Sequence, residues 1–364
     1  MTPDFGPVQR IAVFRALVLG DTLCAVPALR ALRRAWPEAR ISLVGLPVAR
    51  ELAERLDCVD EWLAFPGWPG LPERPVDLAA IPAFLAEMQS RRFDVAVQLH
   101  GSGQIVNPLV SLFGARHMAG FHPPDAPPPG PLFCAWPVHG HEVQRLLALC
   151  RHLGLATDDG ALEFPLRPED VTALRAAWPA WGDRGPYACV HAGAQLPSRR
   201  WPVARFAAVA EALHERRLTV VLTGAPSEQS LVADLSHRLS RRGVPHVDLA
   251  SRTSLWALGA LLRDARVLVC NDTGVSHIAA ALRVPSVVVA CGSEVARWAP
   301  ADTRRHRVLA KPAACRPCAH TVCPVGHGCA LDLGAHEVVL TLDDLLMHTN
   351  DLLEKLPCPA ACAS

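Results

Sequence analysis

The sequence predicts an α/β protein of two domains, each built on a parallel sheet with helices on both faces. Three observations predict it. The chain has 364 residues, more than a single hydrophobic core usually serves. Apolar runs of strand length alternate with helix-length amphipathic segments, the grammar of a parallel sheet. The alternation stops over 154–170, a stretch short of periodicity that carries Gly160, Pro165 and Pro168, and then restarts. The domains are therefore 1–165 and 166–364, and a cleft between two such domains is a natural place for a ligand.

In the first half, Arg10-Ile-Ala-Val-Phe-Arg15 reads as a strand followed by a loop that ends in Gly20-Asp21. Leu23, Val26, Leu29 and Leu32 then recur at nearly helical spacing, which predicts a helix over Thr22 to Ala35 with Pro27 inside it. Strands follow at Ile41–Val44, Trp62–Phe65 and Val95–Leu99, with helices at Pro47–Leu56, Ile81–Arg91 and His141–Leu153. The proline-rich stretch Phe121–Gly130 reads as a loop that folds over an acceptor. In the second half, strands are expected at Tyr187–Val190, Leu218–Leu222, Val267–Cys270 and Ser286–Ala290. Helices are expected at Val203–Arg216, Glu228–Arg238, Ser254–Arg263 and Val275–Leu282.

Composition excludes several classes. Lys plus Arg total 36 against 35 Asp plus Glu, a formal charge of +1, so no global field attracts nucleic acid. The apolar run near the start is broken by Arg15 and lacks the order of a signal peptide, so the chain reads as a soluble cytosolic protein. Thirteen cysteines, an odd number in a large chain, do not suggest a disulfide framework.

Ligands of open α/β sheets bind at the carboxyl ends of strands, so chemistry is sought in the loops there. Cys270-Asn-Asp-Thr-Gly-Val-Ser-His277 lies between a strand and a helix. Gly274 lets backbone approach an anion, the following helix start offers amides to phosphate, Asp272 accepts from sugar hydroxyls, and Thr273, Ser276 and His277 donate to phosphate. A plain turn with a helix cap accounts for the same residues equally well. His191-Ala-Gly-Ala-Gln-Leu-Pro-Ser-Arg-Arg-Trp-Pro202 carries two guanidinium groups suited to phosphate, or is a solvated basic turn. Thr223-Gly-Ala-Pro-Ser-Glu228 ends in a carboxylate placed to take ribose hydroxyls, or to serve the dipole of the next helix. Neither Gly-x-Gly-x-x-Gly nor Gly-x-x-x-x-Gly-Lys-Ser/Thr follows the first strand, which removes the main support for a dinucleotide oxidoreductase or a P-loop protein.

Four separated segments, taken together and in order, resemble glycosyltransferase family 9. They are Leu19-Gly-Asp21 with Pro27-Ala-Leu29, His191-Ala-Gly-Ala194 with Arg200-Trp-Pro202, Gly224 to Glu228, and Asn271-Asp-Thr-Gly274 with Ser276-His277. The resemblance implies a GT-B fold of two Rossmann-like domains, with the acceptor on the N-terminal one and the nucleotide sugar on the C-terminal one. It implies Asp21 as catalytic base, and Asp272, Thr273 and Gly274 holding heptose and diphosphate. Arg199 stands where the family has a lysine on the diphosphate, and Glu228 where a carboxylate takes the ribose. His277 supports the phosphate loop, and Ser276 is counted among the donor-binding residues. The implied reaction is inverting transfer of heptose, or a related sugar, from ADP-heptose or another nucleotide diphosphate sugar to a lipopolysaccharide core or other glycan. It needs no cofactor, and it runs in the cytoplasm, peripherally at the inner membrane face. A nucleotide-sugar epimerase and a non-catalytic sugar-nucleotide binder are the alternatives. The loop Arg15–Asp21 lacks the serines common there in inner-core heptosyltransferases, a departure on the acceptor side.

Two groups remain. His100, Ser102 and Asn107, after the strand ending at Leu99, are expected to face the acceptor, with a buried histidine serving backbone groups as the other reading of His100. Cys315, Cys318, Cys323 and Cys329, in a Cys-rich loop over 315–329, form a candidate tetrahedral zinc or iron set. Their spacing is not that of a standard zinc ribbon, and catalysis is expected to need no metal.

Overall fold

The computed structural model describes residues 4–158 and 160–354. They separate into two compact units, one ending at Pro165 and the other starting at Leu166. Each holds one six-stranded parallel sheet. In the first unit the strands are β1 (Arg10–Phe14), β2 (Arg40–Gly45), β3 (Glu61–Ala64), β4 (Val95–Gln98), β5 (His117–His122) and β6 (Phe133–Ala135), in the order β3-β2-β1-β4-β5-β6. In the second they are β7 (Tyr187–His191), β8 (Thr219–Leu222), β9 (His246–Asp248), β10 (Val267–Asn271), β11 (Ser286–Val289) and β12 (His306–Leu309), in the order β12-β11-β10-β7-β8-β9. Counted from its own first strand, the second sheet has the order of the first, the doubly wound order in which two successive halves run outward from the middle.

Central strands are buried along almost their whole length, as a sheet covered on both faces requires. The first core gathers Phe14, Phe65, Phe84 and Phe113 in edge-to-face contacts with ring centroids 5.1 to 6.3 Å apart. The second is capped by Trp201, whose indole donates to the Leu333 carbonyl at 3.0 Å and whose ring meets Phe206.

Several boundaries differ from expectation. The first long helix runs Leu19–Ala35, three residues earlier than the apolar periodicity predicts, because Thr22 bonds back to the Val18 carbonyl through both its amide and its hydroxyl. Asp21 is thus inside the first turn, where a carboxylate also complements the helix dipole. The helix expected over Pro47–Leu56 is a 3₁₀ turn, Pro47–Ala49, and one α turn, Arg50–Ala53. The expected loop Phe121–Gly130 begins two residues later, since Phe121 and His122 belong to β5 and pair with Cys134 and Ala135. No helix among the described residues is long and apolar enough to cross a membrane.

Candidate active site

In both sheets the strand order reverses between two adjacent strands, and the candidate residues leave from those strands. In the first unit Phe14 of β1 pairs with Gln98 of β4; in the second His191 of β7 pairs with Cys270 of β10. Such switch points leave a crevice at the carboxyl ends of the strands because neighbouring crossovers depart to opposite faces.

In the first unit the Asp21 side chain is 19% exposed, and Arg15, fully buried at the end of β1, stands beside it. Arg15 Nε donates to the Asp21 carbonyl at 3.0 Å, Nη1 to the Leu99 carbonyl at 2.6 Å, and Nη2 to Glu142 Oε1 at 3.0 Å. Asp21 Oδ1 lies 3.7 Å from the same Nη2. Glu142, also fully buried, opens the helix Glu142–His152 that packs along Leu19–Ala35. Its other oxygen is 3.6 Å from Arg145 Nη1, and Arg145 lies over the Trp136 ring at 4.4 Å.

His100 is buried against Phe14. The Ala16 amide donates to its Nδ1 at 3.3 Å, so the proton is on Nε2, which donates to Glu73 at 3.1 Å. That contact holds the Glu73 carboxyl below the usual carboxylate range, against the opposing effect of burial. His100 therefore serves the loop that carries Asp21. Ser102 is half-buried in the turn after β4, between Gly101 and Gly103, both in the left-handed region. Asn107 is structural: Nδ2 donates to the Phe121 carbonyl at 2.8 Å, while its amide bonds Gly103 at 2.8 Å. A side chain at Gly103 would strike both Asn107 and Phe121.

In the second unit Asn271, fully buried at the end of β10, is the organiser. Its Oδ1 accepts from the Trp201 amide at 2.9 Å, and its Nδ2 donates to the Ala192 carbonyl at 2.7 Å and reaches that of Gly193 at 3.3 Å. One side chain thereby ties together the two loops that the sequence motifs single out. Asp272 and Thr273 are half-buried between Asn271 and the helix Gly274–Ala281, with Thr273 at the N-cap position in extended backbone. The buried Ser276 hydroxyl donates to the Thr273 carbonyl at 2.7 Å and so braces the loop. His277 is buried with its ring 6.3 Å from Trp298.

Glu228 ends the 3₁₀ turn Pro226–Glu228, accepts from the Ala225 amide at 2.8 Å and lies 3.5 Å from His191 Nε2. Its carboxylate sits directly over Gly193, in space that a Cβ there would occupy. His191 Nδ1 meets the Thr223 hydroxyl at 3.1 Å; burial pushes the imidazole down and the Glu228 charge partly offsets that. Arg199 donates through Nη2 to the Cys318 carbonyl at 2.9 Å, with its buried Nε unpartnered, so it faces the Cys-rich loop.

That loop docks on the 197–199 turn. Ser198 donates its hydroxyl to the His320 carbonyl and its amide to that of Thr321, and His327 Nε2 donates to the Ser198 carbonyl at 2.7 Å. Among the described residues no three His, Cys, Asp or Glu side chains gather to hold a metal ion. Cys315 is exposed, Cys318 and Cys329 are buried, and Cys323 Sγ accepts from the His327 amide at 3.1 Å.

Sequence reasoning did not find Glu142, Glu73 or the part played by Asn271. Glu142 and Glu73 lie 127 and 27 residues from their partners, and no local spacing marks them.

The profile of glycosyltransferase family 9 (heptosyltransferase) matches residues 82–328. Lipooligosaccharide heptosyltransferase 2 of Haemophilus ducreyi is 35% identical over 95 residues, 26% of this chain and 27% of that protein. The matched stretches span between about a quarter and a half of the first curated relatives. Two solved structures share the fold. The family 9 glycosyl transferase of Veillonella parvula has a TM-score of 0.77 at 19% identity, over 95% of this chain and 99% of that one. E. coli heptosyltransferase WaaC with ADP has a TM-score of 0.64 at 18% identity, over 93% and 100%. The two parallel sheets are those of the GT-B heptosyltransferases. With a family profile that covers most of the chain and starts before β4 and ends beyond β12, the chain belongs to glycosyltransferase family 9.

Proposed function

We propose that the protein is an inverting glycosyltransferase that moves heptose, or a closely related sugar, from ADP-heptose to a lipopolysaccharide core acceptor. The observation that carries this reading is the Asp21 carboxylate, partly exposed at the switch point of the first sheet beside a buried guanidinium. In this reading Asp21 takes the proton of an acceptor hydroxyl. That oxygen bonds to the anomeric carbon from the face opposite the diphosphate, and the bond from that carbon to the diphosphate oxygen breaks. The charge that develops on the leaving ADP is met by amides at the start of the Gly274–Ala281 helix and by Arg199. Asp272 and Thr273 contact the sugar and diphosphate, and His277 supports their loop. Glu228 takes the ribose hydroxyls over Gly193, where the absence of a side chain leaves room. His100, Ser102 and Asn107 shape the acceptor side through the loop after β4. The domain roles follow: acceptor on 1–165, nucleotide sugar on 166–364, with the enzyme working from the cytoplasm at the membrane face where such an acceptor is anchored. Support comes from the family membership and from the fold shared with an ADP-bound heptosyltransferase.

The test is release of ADP from ADP-heptose with and without a Kdo-lipid A acceptor. Acceptor-dependent release is expected; release without acceptor, or conversion of the donor without release, refutes transfer. Asp21→Asn should lower turnover by roughly 10²- to 10⁴-fold with ADP binding unchanged. A rate within about threefold of the parent would remove Asp21 from the mechanism.

A further inference from the structure

We propose that Arg15 and Glu142 are the positioning residues of the Asp21 base, with Glu142 holding the Arg15 guanidinium off the Asp21 carboxylate. This rests on the reading of Asp21 as the base. Three hydrogen bonds and one longer contact define the arrangement. Arg15 is anchored to backbone on two sides, the Asp21 carbonyl at 3.0 Å and the Leu99 carbonyl at 2.6 Å, so the base and the loop after β4 share one rigid support. Its remaining nitrogen, Nη2, makes a 3.0 Å bond to Glu142 and stands 3.7 Å from Asp21 Oδ1, beyond hydrogen-bond length.

The distinction matters for a base. A carboxylate that accepts a direct guanidinium bond is held ionised too strongly to take a proton readily, whereas one with no cation nearby is harder to keep ionised in a partly buried place. Glu142 competes for the same nitrogen and wins by 0.7 Å, the difference between the 3.7 and 3.0 Å contacts. Stability alone gives no reason for the pair, because a buried ion pair is on average no better than an apolar one of the same shape. The titratable and charged groups at this end of the helix Leu19–Ala35 include Arg15 from the end of β1 and His141, Glu142 and Arg145 from the start of the helix Glu142–His152. His100 and Glu73 connect to the same loop through the Ala16 amide.

Removal of either partner should therefore move the base in opposite directions. In Glu142→Gln the guanidinium is free to close on Asp21, which should titrate about one pH unit lower; in Arg15→Met it should titrate about one unit higher. Both should lower kcat tenfold or more and leave KM for ADP-heptose within twofold, since the donor contacts are assigned to the other unit. The full chain is labelled with ¹³C at aspartate carboxyls, and the Asp21 signal is identified by its loss in Asp21→Asn. Opposed shifts with a kcat-specific loss support the proposal. Shifts of one sign, no shift, or a loss confined to melting temperature overturns it, and where Arg15→Met does not fold, the downward shift in Glu142→Gln decides. An Asp21→Asn enzyme of full activity overturns the base and this proposal together. An inactive Asp21→Asn without the opposed shifts overturns this proposal alone.

Discussion

Replacing Asn271 by alanine removes a side chain that joins the β7 loop, the Arg200–Trp201 segment and the β10 loop. Three backbone contacts go with it: the Trp201 amide at 2.9 Å and the carbonyls of Ala192 at 2.7 Å and Gly193 at 3.3 Å. Trp201 and Ala192 are almost wholly excluded from solvent, so water cannot replace the lost partner without opening the loop. Each buried group left unpaired costs about 1–3 kcal/mol; one amide and one carbonyl together make about 3 kcal/mol. For a unit of this size each kcal/mol lowers Tm by about 2–4 °C, so the second unit should melt about 10 °C earlier by scanning calorimetry. Asn271→Asp separates the two halves of the role. It keeps an acceptor for the Trp201 amide but places a carboxylate oxygen against the Ala192 carbonyl, so it should be at least as damaging at neutral pH. A drop of less than about 2 °C in the alanine variant, or an aspartate variant as stable as the parent, would refute the view that this amide organises the donor loops.

Gly193→Ala puts a methyl group into the Glu228 carboxylate; ADP affinity measured by calorimetry should fall tenfold or more, and unchanged affinity would take Glu228 out of the donor site. His306 pairs with the Ser286 hydroxyl at 2.8 Å and is pushed down to about 4, chiefly by burial, with Asp302 opposing and Arg305 adding to the shift. The folded state therefore binds fewer protons than the unfolded chain, whose imidazole titrates near 6.5, so stability is full above that pH and is lost as pH falls toward 4. Between pH 7 and pH 5 the native chain should lose about 2 kcal/mol more by urea unfolding than His306→Asn, in which the contribution of His191 remains. Equal losses in the two proteins would show that His306 does not carry this acid sensitivity.

The central strands are legible from sequence because they are mostly apolar and rich in valine: Val267-Leu-Val-Cys270 and Ser286-Val-Val-Val289 admit few other readings. Three of the four edge strands are not, whereas β3 (Glu61–Ala64) coincides with the expected strand Trp62–Phe65. β6 and β9 have three residues each, and β12 begins His306-Arg307, so neither length nor alternation marks them. They form because a neighbouring strand offers its free edge, which is tertiary information. The last helix, Ala335–Glu354, is not among the expected elements, although Val338, Leu342 and Leu345 recur at helical spacing and are buried. At the candidate site, the quoted motifs fall in loops at the ends of strands, but the contacts made within those loops are not legible from them. Asn271 stands in a quoted motif, yet that its two ends bond Trp201 and Ala192 follows only from β7 lying beside β10. Arg15 is read at the sequence level as a break in an apolar run, and its partner Glu142 lies on a helix 127 residues away.

The two units share a strand order and place their loops at the same topological point, but organise them by different chemistry. In the first, a buried guanidinium and a buried carboxylate set the frame; in the second, the frame is a neutral amide. On the proposed reaction this follows from the charge each side must handle. A base needs to be kept ionised and yet basic, which a cation can do when a second anion restrains it. A site for a leaving diphosphate needs donors that are left unpaired and no added negative charge, so an organiser that carried a carboxylate would oppose the ligand it prepares for. Asn271 supplies one acceptor and two donors at no net charge, and leaves the first amides of the Gly274–Ala281 helix to the ligand. The same logic makes Asn271→Asp the more informative change: even in a chain that still folds, a charge at this position should weaken ADP binding more than alanine does, and more so at low ionic strength.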